Sequence, residues 1–514
     1  ENRGARIDGF TIVGASQGGA IVANGYNQFL NISNNRFTTN AGFFGGGIRI
    51  GHPTLTNEDG GLNHTDAVND RIRIHHNHIA QNGNTFGGSG AGISLHTGAD
   101  AYQVKQNWIC GNYSQGDGAG IGHLGRSHRG VIEDNIINFN ESFAQANPVD
   151  GGGIFVGGKP ALQATNGLLL SPGSGTVTID ANIIRGNQAG AGDGGGIRIY
   201  QANGVDIANS LDAIGPWYDV LIYNNMINNN VAGLAGGGIS VQDSLRVLIR
   251  NNTVANNDST ATTALAFDLT DPANAVGKTL TTPQPAGIVS RLHTPEMALL
   301  MTDVTANIAA DWLTFSDPVL RDDIIYQNRS FFWLNYDDPA TPNFIETGLF
   351  PATPDCIANA PACNTTTPNV NQFTDDLAVL DGLVVTADRL RPVFSLLTDT
   401  TGYPASNVSG DPDFVNPYFN GGRDNLQIQE FTTLQTAGAF DEGGNFIQVT
   451  YGPLSLIEPT PANAEGPLFD YHIDGGSAAL NVGGRTPATG RLSVDFDNQT
   501  RPATGSDIGA DELP

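Results

Sequence analysis

The chain has 514 residues, 39% of them hydrophobic, and sets 24 lysines and arginines against 51 aspartates and glutamates for a formal net charge of −27. So acidic a chain argues against nucleic acid and anionic membranes as direct partners and permits divalent cations. No apolar run is long enough to span a bilayer, and the length suits one continuous repeat unit with an extended core.

One phrase recurs eight times: an apolar residue, a variable one, a polar residue or Ala, Asn (once Asp), a variable residue, an apolar one, two variable residues, Asn. The copies are ISNNRFTTN (32–40), IHHNHIAQN (74–82), VKQNWICGN (104–112), IEDNIINFN (132–140), IDANIIRGN (179–187), IYNNMINNN (222–230), IRNNTVANN (249–257) and LRDDIIYQN (320–328). A second phrase, GGGI or a near variant, precedes most copies, as at 45–48, 90–93, 118–121, 151–154, 194–197 and 236–239. Repetition on this scale marks a solenoid.

The first Asn of each copy is an anchor: Asn35, Asn77, Asn107, Asn135, Asn182, Asn225 and Asn252, with Asp323 in the last. Three residues before each anchor stand Ile32, Ile74, Val104, Ile132, Ile179, Ile222, Ile249 and Leu320; two residues after stand Phe37, Ile79, Ile109, Ile137, Ile184, Ile227, Val254 and Ile325. These columns are apolar and mostly β-branched, which predicts short buried strands. The anchor falls between them at a corner, where Asn tolerates left-handed backbone angles and bonds neighbouring peptide groups. A second Asn follows five residues later in every copy, from Asn40 to Asn328, and marks a second corner. With the GGGI strand, a coil has roughly three strands, and like residues stack about 4.8 Å apart, close enough for side-chain amides to form ladders. The expected fold is all-β: a parallel β-helix, right-handed because parallel crossovers overwhelmingly are.

Residues 1–258 read as nearly uninterrupted coils, 259–318 as a partly helical insertion, 319–330 as one further coil, 331–410 as a loop-rich excursion, and 411–514 as closing coils and a C-terminal cap. Within the excursion, Cys356 and Cys363 have a separation that suits a local disulfide. Cys110 is predicted to be a buried or corner thiol. The chain opens directly in repeat material at 6–25, so a preceding N-terminal part is expected, since solenoids normally cap their first coil.

Aligning the copies also sorts the outward residues. Two before each anchor come Ser33, His75, Lys105, Glu133, Asp180, Tyr223 and Arg250. Proton abstraction beside a uronic-acid carboxylate needs a base, for which His75 or Lys105 is the candidate, and a cation, for which Arg250 or a metal is. Hydrolysis of a glycosidic bond needs two carboxylates, and Glu133 and Asp180 are the candidate pair. Tyr223 and Arg250 are candidates for holding substrate. The same column also suits a solvated face of alternating charge.

Histidines crowd into residues 52–128. His96 and His123 follow successive GAGI strands and are expected to be neighbours, a pairing suited to zinc or copper, although no spacing matches a metal signature. Asp117, Asp150 and Asp193 each stand four residues before the Ile of their Gly phrase. Stacked carboxylates suggest calcium; the alternative is that each caps its own Gly turn. The aromatic runs FFWLNY (331–336) and NPYFNG (416–421) suit either sugar stacking or packing of a loop onto the solenoid wall.

The closing segments GDPDFVN (410–416), YHIDGGSAALNVGG (471–484), VDFDNQTRP (494–502) and SDIGADE (506–512), taken with the repeats, carry a family resemblance. The chain resembles bacterial exported right-handed parallel β-helix repeat proteins of pectin-lyase-like fold, with a choice-of-anchor-type ending. The resemblance implies a cell-surface or extracellular location. The chain is also similar to the β-helical part of some very large multicopper-oxidase-type proteins, but it holds no copper-ligand motif of such an oxidase domain. The fold hosts lyases, hydrolases, adhesins and scaffolds alike. Three readings follow: a non-catalytic scaffold whose partners are polysaccharide, surface proteins or other copies of itself; a polysaccharide lyase or glycoside hydrolase; and a C-terminal module of a larger exported oxidase-type protein.

Overall fold

Each Asn phrase folds as two short strands that meet at the anchor, as in Gln103–Lys105 and Trp108–Cys110 on either side of Asn107. A two-residue strand follows the second Asn, Tyr113–Ser114 in this coil, and the Gly phrase opens a fourth strand, Ile121–Leu124. The computed structural model describes residues 4–53, 66–84, 88–144, 147–158, 163–267, 278–337, 345–352, 376–417, 470–484, 492–502 and 504–513. Stacked coils build one nine-stranded and three ten-stranded sheets. Along the stack the pairing is parallel and in register: Val104 lies between Ile74 and Ile132, Ile109 between Ile79 and Ile137, and Ile121 between Ile93 and Ile154. The molecule is an all-β parallel solenoid, and these stacked residues are its core, fully buried throughout. The count of roughly three strands per coil misses the third sheet, whose strands are too short to leave a pattern in the sequence.

Both asparagine columns form ladders. Asn107 Nδ2 donates to Asn135 Oδ1 and Asn135 Nδ2 to Asn182 Oδ1, each at 3.0 Å. In the second ladder Asn112 Nδ2 donates to Asn140 Oδ1 at 2.8 Å. Each anchor's Oδ1 also accepts the backbone N–H of the anchor one coil earlier, as Asn135 Oδ1 does from Asn107 N at 3.0 Å. The left-handed angle does not fall on the anchor, however. It falls on the residue before it: His76 (φ 54°), Gln106 (φ 52°), Asp134 (φ 56°) and Ala181 (φ 51°). That residue turns the chain, which frees the buried anchor to satisfy the corner's peptide groups.

The Gly phrase allows the coils to stack closely. A Cβ on Gly120 would lie 2.5 Å from the carbonyl oxygen of Gly153 in the next coil, and Gly118 adopts φ +67°.

Two predicted interruptions contain coil strands. Ile288–Arg291, inside 259–318, continues the fourth sheet, and Leu377–Asp381 and Leu396–Leu397, inside 331–410, extend the fourth and second. Insertions at the corners separate these strands from their Asn phrase, which hides them from a fixed-spacing search. The expected helix is Pro295–Met301; Met297, Leu300 and Met301 pack against Leu170, Ile207 and Trp217 on the side of the solenoid. Phe331 and Phe332 are buried, the wall-packing alternative. Cys110 is a free, half-buried thiol; Cys356 and Cys363 lie outside the described residues.

The described C-terminal residues run along the outer face of the second sheet as a strap. Tyr471 packs with Met226 and Ala255, and Ile473 and Ile508 pack with Ile324 and Leu396. Its hub is Arg501, fully buried: Nη2 donates to Asn224 Oδ1 (3.1 Å) and to the carbonyls of Gly509 (2.9 Å) and Ala510 (2.8 Å), and Nη1 meets Glu512 Oε2 at 3.2 Å. Among the described residues, no helix is long and apolar enough to cross a membrane.

Candidate functional site

The outward column is one continuous file on the first sheet. Ser33 pairs with His75, His75 with Lys105, Lys105 with Glu133, Glu133 with Asp180, Asp180 with Tyr223, and Tyr223 with Arg250. No inserted loop displaces a rung. Lys105 Nζ lies 2.5 Å from Glu133 Oε2, with both side chains about one-third exposed. His75 Nδ1 approaches His76 Nδ1 at 2.9 Å, and burial, then the positive neighbours His76 and Arg6, lower the His75 pKa. Burial pushes the Asp180 carboxyl up to about 6, against a hydrogen bond donated by Asn224 Nδ2 at 3.1 Å. The file therefore juxtaposes a lysine-paired carboxylate with one that holds its proton to higher pH, on adjacent strands.

His96 and His123 do not face each other. His96 stands beside Leu124, and His123 beside Leu95. The one-residue offset places them on opposite faces of the strand layer, because side chains alternate along a strand. His123 points into the core, where its ring bonds Tyr102 Oη at 2.8 Å and the Ser174 carbonyl at 2.9 Å. His96 lies outside, against Ser94 Oγ (2.8 Å) and the Phe44 ring. Burial depresses their pKa values to about 3 and about 4, His96 the lower. The two make no shared zinc or copper site.

The acidic column is also a ladder. Asp117 Oδ1 accepts the N–H of Asp150 at 2.9 Å, Asp150 Oδ1 that of Asp193 at 2.9 Å, and Asp193 Oδ1 that of Ala235 at 3.0 Å. Each thereby caps the following coil. The cations beside them are arginines. Arg198 Nε lies 3.3 Å from Asp150 Oδ2, Arg198 Nη1 lies 3.5 Å from Asp193 Oδ2, and Arg291 forks onto Asp193, with Nη2 donating to Oδ1 at 2.8 Å. Burial opposes ionisation of Asp193, but Arg291 and then Arg198 outweigh it and hold the carboxyl below its ordinary pKa. Two guanidinium groups thus supply positive charge beside Asp150 and Asp193.

These groups form one wall of a cleft of about 430 Å³ on the outer face of the fourth sheet, which the sequence reading missed. Tyr200, Gln242 and Arg291 line it with Asp150, Asp193 and Arg198. Arg198 Nη2 donates to Gln242 Oε1 at 2.9 Å, and its guanidinium sits 5.0 Å from the Tyr200 ring centre. Below them, His293 Nδ1 and Asp243 Oδ1 are 3.2 Å apart. The first and third positions after each coil Ile, outward on the fourth sheet, give Arg198, Tyr200, Gln242 and Arg291. No protein-family model matches the chain, and no curated protein shows significant similarity to it.

Proposed function

We propose that the chain is a non-catalytic right-handed parallel β-helix, exported to the cell surface or medium, which serves as a scaffold for assembly or adhesion. The observation that carries this reading is the pair of side-chain ladders through the stack, in which each described asparagine amide donates to the next coil. Such a rod holds its outward residues at fixed spacing over many coils, which suits a repetitive polysaccharide, a surface protein or another copy of the chain. The handedness follows the general rule for parallel crossovers. Export rests on the resemblance of the closing segments. Sedimentation and negative-stain imaging of the purified chain test the reading: ordered self-association, or retention on a glycan surface without turnover, supports it, and a monomer inert to both sinks it.

A second reading is favoured by one observation, the neighbouring carboxylates of Glu133 and Asp180. With Asp180 protonated up to about pH 6, it is the acid that would protonate a leaving glycosidic oxygen, and Glu133 the carboxylate that would act on the sugar. Release of reducing sugars from a polysaccharide panel, abolished by Glu133→Gln and by Asp180→Asn, supports this reading; no release from any substrate removes it.

A further inference from the structure

In the strap, three ligand groups from three separate segments converge. His472 belongs to the strand Asp470–Ile473, Asp497 to the turn after Phe496, and Asp511 to the closing residues. One ligand atom of each lies within 4.8 Å of the other two. His472 Nδ1 is held by Asp470 Oδ1, which also accepts the His472 backbone N–H at 3.0 Å. That bond fixes the ring and assigns the lone pair to Nε2, the second-carboxylate arrangement that orients a metal-binding imidazole.

Nε2 is the informative atom. It lies 3.0 Å from Asp497 Oδ2, yet it is sealed from solvent and makes no hydrogen bond, because the contact is poorly aligned. A separation of about 3 Å is what two ligands show when each lies roughly 2.1 Å from one ion at near right angles. Asp511 is buried, with Oδ2 accepting the Ile473 N–H at 3.0 Å, so its position is fixed. Asp497 is the adjustable member, its side chain 43% exposed. Asp495 lies behind and is spent on the N–H groups of Gln499 (2.7 Å) and Glu512 (3.1 Å). Among the described residues, the imidazole is the potential cation that faces Asp470, Asp497 and Asp511 here.

We propose that His472 Nε2 and the carboxylates of Asp497 and Asp511 bind a divalent first-row transition-metal ion, with Asp470 as the positioning residue. One imidazole with two carboxylates suits zinc or manganese over calcium. Bound there, the ion ties together three segments of the strap against the second sheet.

The test uses the full chain stripped with a chelator, then titrated with Zn²⁺ and separately with Mn²⁺ by calorimetry and thermal melting. One of the ions is expected to bind at one site and raise the melting temperature. Asp497→Asn, which touches an exposed side chain, should melt like the stripped wild type and lose at least tenfold in affinity. Asp470→Asn should weaken binding through loss of ring orientation. Binding of neither ion to the folded wild type overturns the proposal. Equal affinity in the Asp497→Asn variant also overturns it, because the ion would then sit elsewhere.

Discussion

Asn252 Nδ2 donates to Asp323 Oδ1 at 3.1 Å, and the parallel ladder ends the same way, with Asn328 Nδ2 donating to Asp376 Oδ1 at 2.8 Å. Both ladders point their amide donors toward the later coils. The last partner has only to supply an acceptor oxygen, which a carboxyl does in either protonation state. Asp323→Ala should leave the backbone N–H of Asn252 without an acceptor, at about 1–3 kcal/mol, while its side-chain amide keeps the carbonyls of Ile222 and Arg250. Hydrogen exchange should quicken in 319–326 and 396–397 while the early coils keep their protection.

A break in mid-ladder should cost more widely. Asn135 accepts from two groups of Asn107 and donates to the carbonyls of Val104 (2.8 Å) and Glu133 (3.0 Å) as well as to Asn182. Asn135→Ala should destabilise by several kcal/mol, roughly the sum of two or three unsatisfied buried groups. Urea unfolding measures this. A loss below about 1 kcal/mol, the worth of one ordinary bond, would contradict the ladder's role.

Asp323 should make stability depend on pH. Burial pushes its carboxyl up to about 7, against the bonds donated by Asn252. Below about pH 4 the folded and unfolded states are both protonated and the contribution is complete. Between there and about 7 the folded state holds the extra proton, so stability falls as pH rises, and above 7 the loss is complete. Asp323→Asn removes this titration. The stability difference between wild type and variant should therefore shift by a few kcal/mol in the variant's favour from pH 4 to pH 8, and a constant difference would refute the assignment.

Arg501 should hold the strap. Replacing it with Met removes the cation beside the Glu512 carboxyl and frees Asn224 and four carbonyls, a loss of about 3–5 kcal/mol for a broken buried pair. Limited proteolysis should then cut within 470–513 and leave the coils intact.

The Lys105–Glu133 pair should contribute little. Its partners are about one-third exposed, so a double-mutant cycle should give no more than about 1 kcal/mol, and less in high salt.

The inward columns were legible because their period is strict and their residues β-branched, and the order His75, Lys105, Glu133, Asp180 followed directly from the anchors. The error at His96 and His123 was one of parity. Counted from the coil Ile, His96 is at the third position and His123 at the second, and alternation alone separates them. The third sheet was hidden because two residues carry no period. The strap was hidden for another reason: Tyr471 Oη accepts from Asn256 Nδ2 and donates to Asn229 Oδ1 across more than two hundred residues of chain, and no local pattern encodes such a pairing. The Arg198–Asp193 cleft depends on an insertion that brings Arg291 back into the fourth sheet.

The one-way run of the amide donors gives the rod a direction. At its early end the ladder presents acceptors, and Asn35 and Asn40 use theirs on the backbone N–H groups of Phe10 and Ala15. At its late end it presents donors, and Asp323 and Asp376 receive them. Any coil between accepts from one neighbour and donates to the next, so a whole coil can be added or removed without altering either terminus. Length in such a molecule is a whole-number variable, free to change in steps of one turn, whereas head and tail are not interchangeable.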